Sequence, residues 1–237
     1  MRSLWAAVFA AGSLGPPSPT PCAAFDALYA QIRDGRIDRA IALDRVRELL
    51  PQIRDYYTAH APADPPRPWR FPLDGYGRES IGGRNGSGYQ PAGYDWFDGY
   101  RSKGHPGHDL FIHDRDQNEL DDVTGKPVAI LSIADGVVVA EATDWDPASR
   151  LRGGRYAYIF SPAAGGMFYY AHAHSIVVKV GEIVRAGETI GTVGRSGRNA
   201  AERRSPTHLH VMFLAVGDDG HPRPRDIYAD LLRLAHK

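Results

Sequence analysis

The stretch Val180-Gly181-Glu182-Ile183-Val184-Arg185-Ala186-Gly187-Glu188-Thr189-Ile190-Gly191 decides the fold class. Gly181 and Gly187 permit tight turns, and Ile183, Val184 and Ile190 supply short strand cores around them. The same punctuation extends in both directions. Strand-like runs at Val128–Ile133, Gly136–Glu141, Tyr156–Phe160, Met167–Ala171, Ile176–Val180, Thr189–Val193 and His208–Leu214 are separated by Gly, Pro and Asp turns. That pattern predicts a mainly β domain with an antiparallel barrel or sandwich.

Outward from this region the character changes. Between residues 25 and 60, Leu28, Ile32, Ile37, Ile41, Val46, Leu49, Leu50 and Ile53 recur at helical spacing, which predicts a small N-terminal helical segment. Gly35 breaks it into two helices, and Pro51 marks a further turn or kink. Residues 61–70 are Pro-rich and read as a linker, so the main domain is expected over 71–237. Residues 226–236 read as a terminal helix. The first 24 residues combine a positive start at Arg2, an apolar run from Leu4 to Leu14 and the small residues Cys22-Ala23-Ala24. This is the pattern of a signal peptide, which predicts an exported protein, periplasmic or extracellular. No other segment is apolar enough to span a bilayer, so an integral membrane protein is not expected.

Composition excludes several classes. Lys+Arg and Asp+Glu are both 28, so there is no broad basic field for nucleic acid. Apolar residues make up 43% of the chain, enough for a hydrophobic core without staples. Cys22 is the single cysteine, so a metal site must draw on His and carboxylate ligands.

Six of the ten histidines fall in three short groups. In His105-Pro106-Gly107-His108-Asp109, His105 and Asp109 lie four apart; a straight strand would separate them by about 13 Å, but Pro106 and Gly107 can bend the chain. His172-Ala173-His174 follows a strand-like run. His208 and His210 alternate on one face of a strand, about 7 Å apart, so one can bind a metal while the other faces its water. Imidazole and carboxylate donors suit zinc, and three protein ligands leave a fourth position open, as catalysis requires.

Taken together, these motifs resemble the lysostaphin-type (LytM-like) zinc metallopeptidases, which cut peptide bonds in peptidoglycan. The resemblance covers residues 104–214. It rests on Gly104-His105-Pro106-Gly107-His108-Asp109, Gly125-Lys126-Pro127-Val128, Ala134-Asp135-Gly136-Val137-Val138, Tyr170-Ala171-His172, the hairpin within Val177–Gly191, and Thr207-His208-Leu209-His210. The hairpin is also similar to lipoyl and biotinyl carriers, but it lacks a lysine at the expected turn. The resemblance implies that His105, Asp109 and His210 ligate Zn2+ and that His172 and His208 are catalytic. Gly181, nine positions after His172, favours His172 over His174 in that role. The implied activity is hydrolysis of peptidoglycan or other peptides. A non-hydrolytic cell-wall-binding or activating module with the same fold is the alternative, and retention of all five residues argues against it.

Other candidates are set aside. His108 should turn away from the site by strand alternation, and His113 and His174 read as structural or groove-edge residues. Asp114-Arg115-Asp116-Gln117-Asn118 mimics the start of a calcium loop, but Glu119 and Gly125 occupy its sixth and twelfth positions. The aromatic group Tyr89, Tyr94, Trp96, Phe97 and Tyr100 reads as a satellite core or a groove wall. Arg195, Arg198, Arg203 and Arg204 form a basic loop that could rim a site for peptide carboxylates.

Overall fold

The computed structural model describes residues 19–235. Most of the expected signal peptide lies outside them. Thr20 is the N-cap of α1 (Pro21–Arg33), its Oγ1 accepting from the Ala23 N–H at 3.2 Å, with Pro21 in the first turn. The helical segment expected from residue 25 therefore begins at Pro21, and Cys22-Ala23-Ala24 sits within its first turn. Gly35, at φ 66°, ends α1. α2 (Arg39–His60) is capped by Asp38 and runs through Pro51 as one helix.

Among the described residues nine strands follow: β1 (His108–Phe111), β2 (Ala129–Leu131), β3 (Gly136–Ala142), β4 (Arg155–Ser161), β5 (Gly166–Ile176), β6 (Ile183–Val184), β7 (Thr189–Val193), β8 (His208–Val216) and β9 (Pro222–Arg225); α3 (Tyr228–Leu234) closes the described chain. All pairings are antiparallel. The main order is β1-β8-β5-β4-β3-β6, with β9 also on β8 and β2 joined through β7 to β5. The sheet stays open, so the expected barrel closure does not occur. β5 is shared along one edge by two partners: Gly166–Ala171 pairs with β8, and Ala173–Ile176 pairs with β7. The run expected as a strand over Ile176–Val180 ends at Ile176, where the chain leaves the sheet. β1 and β9 were not among the expected strand-like runs; each is four residues long, whereas β6 falls on the expected Ile183-Val184 strand core.

Alternation sorts the strands between two cores. Leu110, Ile159, Phe168, Tyr170, Leu209, Val211 and Phe213 face the layer completed by β2, β7 and α3. Val137, Tyr156, Tyr158, Phe160, Met167, Ala171, Met212 and Leu214 face α1 and α2. Phe25, Tyr29, Ile32, Val46 and Ile53 of the helices are buried against this second face, together with Trp96 and Phe97 from the 3-10 turn Trp96–Arg101. Residues 61–70 are pinned rather than loose at their end: Arg67 N–H donates to Asp135 Oδ2 at 2.9 Å and Arg70 N–H to the Ile133 carbonyl at 2.9 Å.

The helices are thus structural cover for the sheet. Phe25→Ala is expected to destabilise the whole protein by about 3–5 kcal/mol, the range for emptying a large aromatic site. Urea unfolding followed both by helical signal and by Trp fluorescence should give one common, lowered midpoint. Two separated transitions, with the sheet unaffected, would show that the helices fold as an independent appendage.

Candidate active site

The five sequence-predicted residues converge in one cavity of about 340 Å³. Asp109 on β1 is directly opposite His210 on β8, and His210 is opposite Ala171 on β5. His208 shares the His210 face, two residues earlier on β8. His105 reaches the group from the loop before β1, held by paired backbone hydrogen bonds between His105 and Gln90 at 2.6 and 2.8 Å.

His172 needs a different device. In β5 the odd residues Met167, Tyr169 and Ala171 lie on the helix-facing side, so alternation would send His172 to the other face. A bulge prevents this: the register with β4 shifts between Arg155 and Ala157, so that Ala171 and His172 together stand opposite Tyr156. His172 adopts φ 65°, left-handed for a residue with a side chain. Its N–H leaves the ladder to donate to the Gly153 carbonyl at 2.8 Å. Its Nδ1–H donates to the Ser196 carbonyl at 2.8 Å. The Ser196 Oγ–H in turn donates to the Ala173 carbonyl at 2.7 Å and accepts from the Arg155 N–H at 2.9 Å, so the loop and strand clasp each other.

Three donors face one another. His105 Nε2 and Asp109 Oδ1 are 3.2 Å apart, His210 Nδ1 and Asp109 Oδ1 2.9 Å, and His210 Nδ1 and His105 Nε2 3.1 Å. Ligands about 2.0–2.1 Å from a tetrahedral ion would stand about 3.3 Å apart, close to these separations. His105 Nδ1 bonds the Gly88 carbonyl at 2.8 Å and so carries that ring's proton. Its Nε2 then meets the carboxylate oxygen lone pair to lone pair, an arrangement that a cation favours. The residues therefore fit a divalent metal with a His, Asp, His ligand set.

His172 and His208 stand beside this group, ring centroids 4.9 Å apart, with His208 Nε2 3.8 Å from Asp109 Oδ1. His208 Nδ1–H donates to the Pro206 carbonyl at 2.7 Å. Both rings therefore commit Nδ1 to a main-chain carbonyl, leaving Nε2 as the free nitrogen. Burial, then the neighbouring His208 and His210, push His172 down to about 3, so it is neutral at ordinary pH. Burial alone would raise Asp109, but when His105 and His210 carry a proton towards it, as they can without a metal, their hydrogen bonds outweigh burial and hold the carboxyl well below the usual range. The bond to Asp109 raises His105, and burial lowers His210.

The set-aside residues lie elsewhere. His108 is fully buried, its Nε2 2.9 Å from Asp226 and its ring stacked on Tyr89. His174 is exposed and paired with Glu119; His113 lies beside Tyr76. In the acidic turn, Asp114 accepts from the N–H groups of Asn118 and Glu119 and from Thr207 Oγ1, bracing the start of β8. Arg195 is buried and bonds the Ser205 and Glu202 carbonyls, so it shapes its loop from within. Tyr94, Trp96 and Tyr100 line the cavity, while Trp96 and Phe97 also pack into the helical core; the aromatic group serves both roles. Sequence reasoning missed Tyr29 and Arg33 of α1 as cavity-lining residues. Their helical spacing signals burial but not what they bury against.

Residues 119–222 match the model of peptidase family M23. Over that stretch the chain is similar to the M23 peptidases. The matched stretch includes His172, His208 and His210, while His105 and Asp109 precede it. No curated protein sequence matches the chain. Among solved structures, lysostaphin from Staphylococcus simulans is 22% identical, with a TM-score of 0.40, over 68% of this chain and 50% of that one. A zinc-containing peptidase from Vibrio cholerae is 24% identical, with a TM-score of 0.41, over 67% of this chain and 39% of that one. A LytM from Ruminococcus gnavus is 20% identical, with a TM-score of 0.45, over 92% of this chain and 83% of that one. The match thus spans half or less of the first two proteins.

Gly107 ties the site to its backbone. A Cβ there would sit 2.5 Å from the Val211 carbonyl oxygen and 2.8 Å from His210 Cε1 and Nε2. Gly107→Ala is expected to push the His210 ring aside and lower divalent metal uptake at least about tenfold, in the range for disturbed ligand support. Metal analysis after dialysis checks this. Unchanged stoichiometry and affinity would show that His210 does not need this contact.

Proposed function

We propose that the protein is a zinc-dependent endopeptidase of the M23 type acting on peptide bonds in peptidoglycan stems or cross-links, working outside the cytoplasm. The observation that carries this reading is the convergence of His105, Asp109 and His210 with two neutral-capable imidazoles in one cavity. The positive start and the apolar run Leu4–Leu14 that precede α1 support export. Among the described residues, no helix is long and apolar enough to cross a membrane.

When bound, zinc supplies Lewis acidity, lowering the pKa of a coordinated water towards about 7 and polarising a carbonyl. The protein's own groups supply the rest. His105, Asp109 and His210 hold the ion with the chelating atoms already turned towards one another. His172, neutral, presents Nε2 to take the proton of the attacking water, and the resulting imidazolium passes it to the leaving amine. The Ser196 carbonyl fixes the tautomer that this requires. His208, with Nδ1–H committed to Pro206, presents Nε2 to the same space, beside the position the carbonyl oxygen takes as it gains charge.

The roles separate experimentally. His210→Ala or Asp109→Ala should abolish stable zinc retention, whereas His172→Ala and His208→Ala should each keep about one zinc per chain. Release of peptides from isolated peptidoglycan, followed by mass spectrometry, should fall about a hundredfold or more in the last two variants. His174→Ala should change it little. Inactivation by His174→Ala with a fully active His172→Ala would reverse the assignment of the two residues.

Gly197 offers a subtler check on His172. It has φ 103°, and a Cβ would lie 2.8 Å from His172 Nδ1 and 2.6 Å from the Arg152 carbonyl oxygen. Gly197→Ala is expected to keep zinc while lowering turnover by about tenfold or more, because general-base geometry is lost. Wild-type turnover in this variant would show that the Ser196–His172 clasp does not set the rate.

A further inference from the structure

The cavity that gathers the five side chains opens along one side into a second groove. Lys103, Arg152 and Arg198 line both. The groove adds Arg150 and Arg204, making five cations along one continuous surface. It holds two carboxylates, and both are engaged: Asp34 by Arg33 at 2.9 Å and Arg36 at 2.8 Å, Glu202 by Arg204 at 2.6 Å. Lys103, Arg150, Arg152 and Arg198 have no acidic partner among the described residues. In a chain with 28 basic and 28 acidic residues, this is a local excess of positive charge.

Two of these cations are built into the clasp around His172. Arg152 Nη1 donates to the Tyr100 and Ser102 carbonyls at 3.1 and 3.0 Å, which fixes the guanidinium at the junction of cavity and groove. The Arg152 carbonyl accepts from the Arg198 N–H at 3.1 Å. Arg152 adjoins Gly153, and Arg198 lies two residues after Ser196; Gly153 and Ser196 supply the carbonyls that hold His172. A substrate whose scissile bond reaches His172 therefore passes the two arginines. Guanidinium groups bind carboxylates bidentately, and a partly ordered guanidinium loses little freedom in doing so.

We propose that this groove is the subsite for carboxylates borne by the peptide substrate, so that the protein selects anionic peptides over uncharged ones. The proposal rests on the hydrolytic reading, since a peptide is the anion expected beside a peptide-cleaving site. Arg198 and Lys103 are specificity-determining residues in this account.

The test uses the zinc-loaded full chain and two fluorescently labelled peptides, identical except that carboxylates are free in one and amidated in the other. Binding is read by anisotropy and cleavage by mass spectrometry. The free-carboxylate peptide should bind at least about tenfold more tightly at low salt, and the preference should shrink as salt rises. Arg198→Gln and Lys103→Gln should each cut the preference severalfold, and Arg198→Lys should restore part of it. Arg45→Gln, on exposed α2 surface, should leave the preference as it is. Equal affinity for the two peptides, or an undiminished preference in both groove variants, would overturn the proposal. So would tighter binding of inorganic polyphosphate than of the peptide at equal charge, which would mark a phosphate-polymer surface. Selective binding without cleavage would contradict the hydrolytic reading while supporting the groove; cleavage without selectivity would do the reverse.

Discussion

One residue offset in β5 carries the site. Two successive residues, Ala171 and His172, stand opposite Tyr156, so His172 turns to the face that alternation would deny it. Without that bulge His208 and His210 would share their side of the sheet with Ala171 but not with an imidazole. A left-handed backbone on a residue that carries a side chain is unfavourable by itself, of the order of 1 kcal/mol or more. It is held by two hydrogen bonds that the residue donates, from its N–H to the Gly153 carbonyl and from its ring Nδ1–H to the Ser196 carbonyl. The same bulge marks where β5 exchanges β8 for β7 as its partner, so sheet topology and site geometry have a common cause.

Around this point the sheet acts as a ruler. Direct pairing of Asp109 with His210 fixes the separation of two side chains of the proposed metal site through backbone hydrogen bonds rather than through flexible loops. His105, which comes from a loop, is anchored separately by Gln90 and Gly88. The helices complete the enclosure: Tyr29 and Arg33 project from α1 into the cavity wall while neighbouring residues of the same helix fill the core below. Stability and access to the site are therefore coupled through one helix.

Much of this was legible in the sequence, and the limits have physical reasons. The His-x-His of β8 declared a shared face because strand period is two. The Gly and Asp turns announced short antiparallel strands. Helical spacing foretold α1 and α2, and Gly35 their break. The open form of the sheet was not legible, since closure depends on partners distant in sequence. β1 and β9 are too short to show a period. The bulge at His172 left no mark beyond a His in a strand-like run, because it is created by the glycine-containing loops at residues 153–154 and 197. The cavity role of Tyr29 and Arg33 was hidden for the same reason: a helical pattern states which face is buried, not which site it borders.

The central claim is that the metal is held by two imidazoles and one carboxylate while His172 and His208 remain unligated beside it. Zinc K-edge X-ray absorption on the wild-type protein, loaded with one equivalent of zinc, tests this directly. The account predicts scattering from two imidazole ligands and oxygen donors. A coordination shell with three or four imidazoles would contradict it, because His172 or His208 would then be a ligand and not a proton-carrying neighbour.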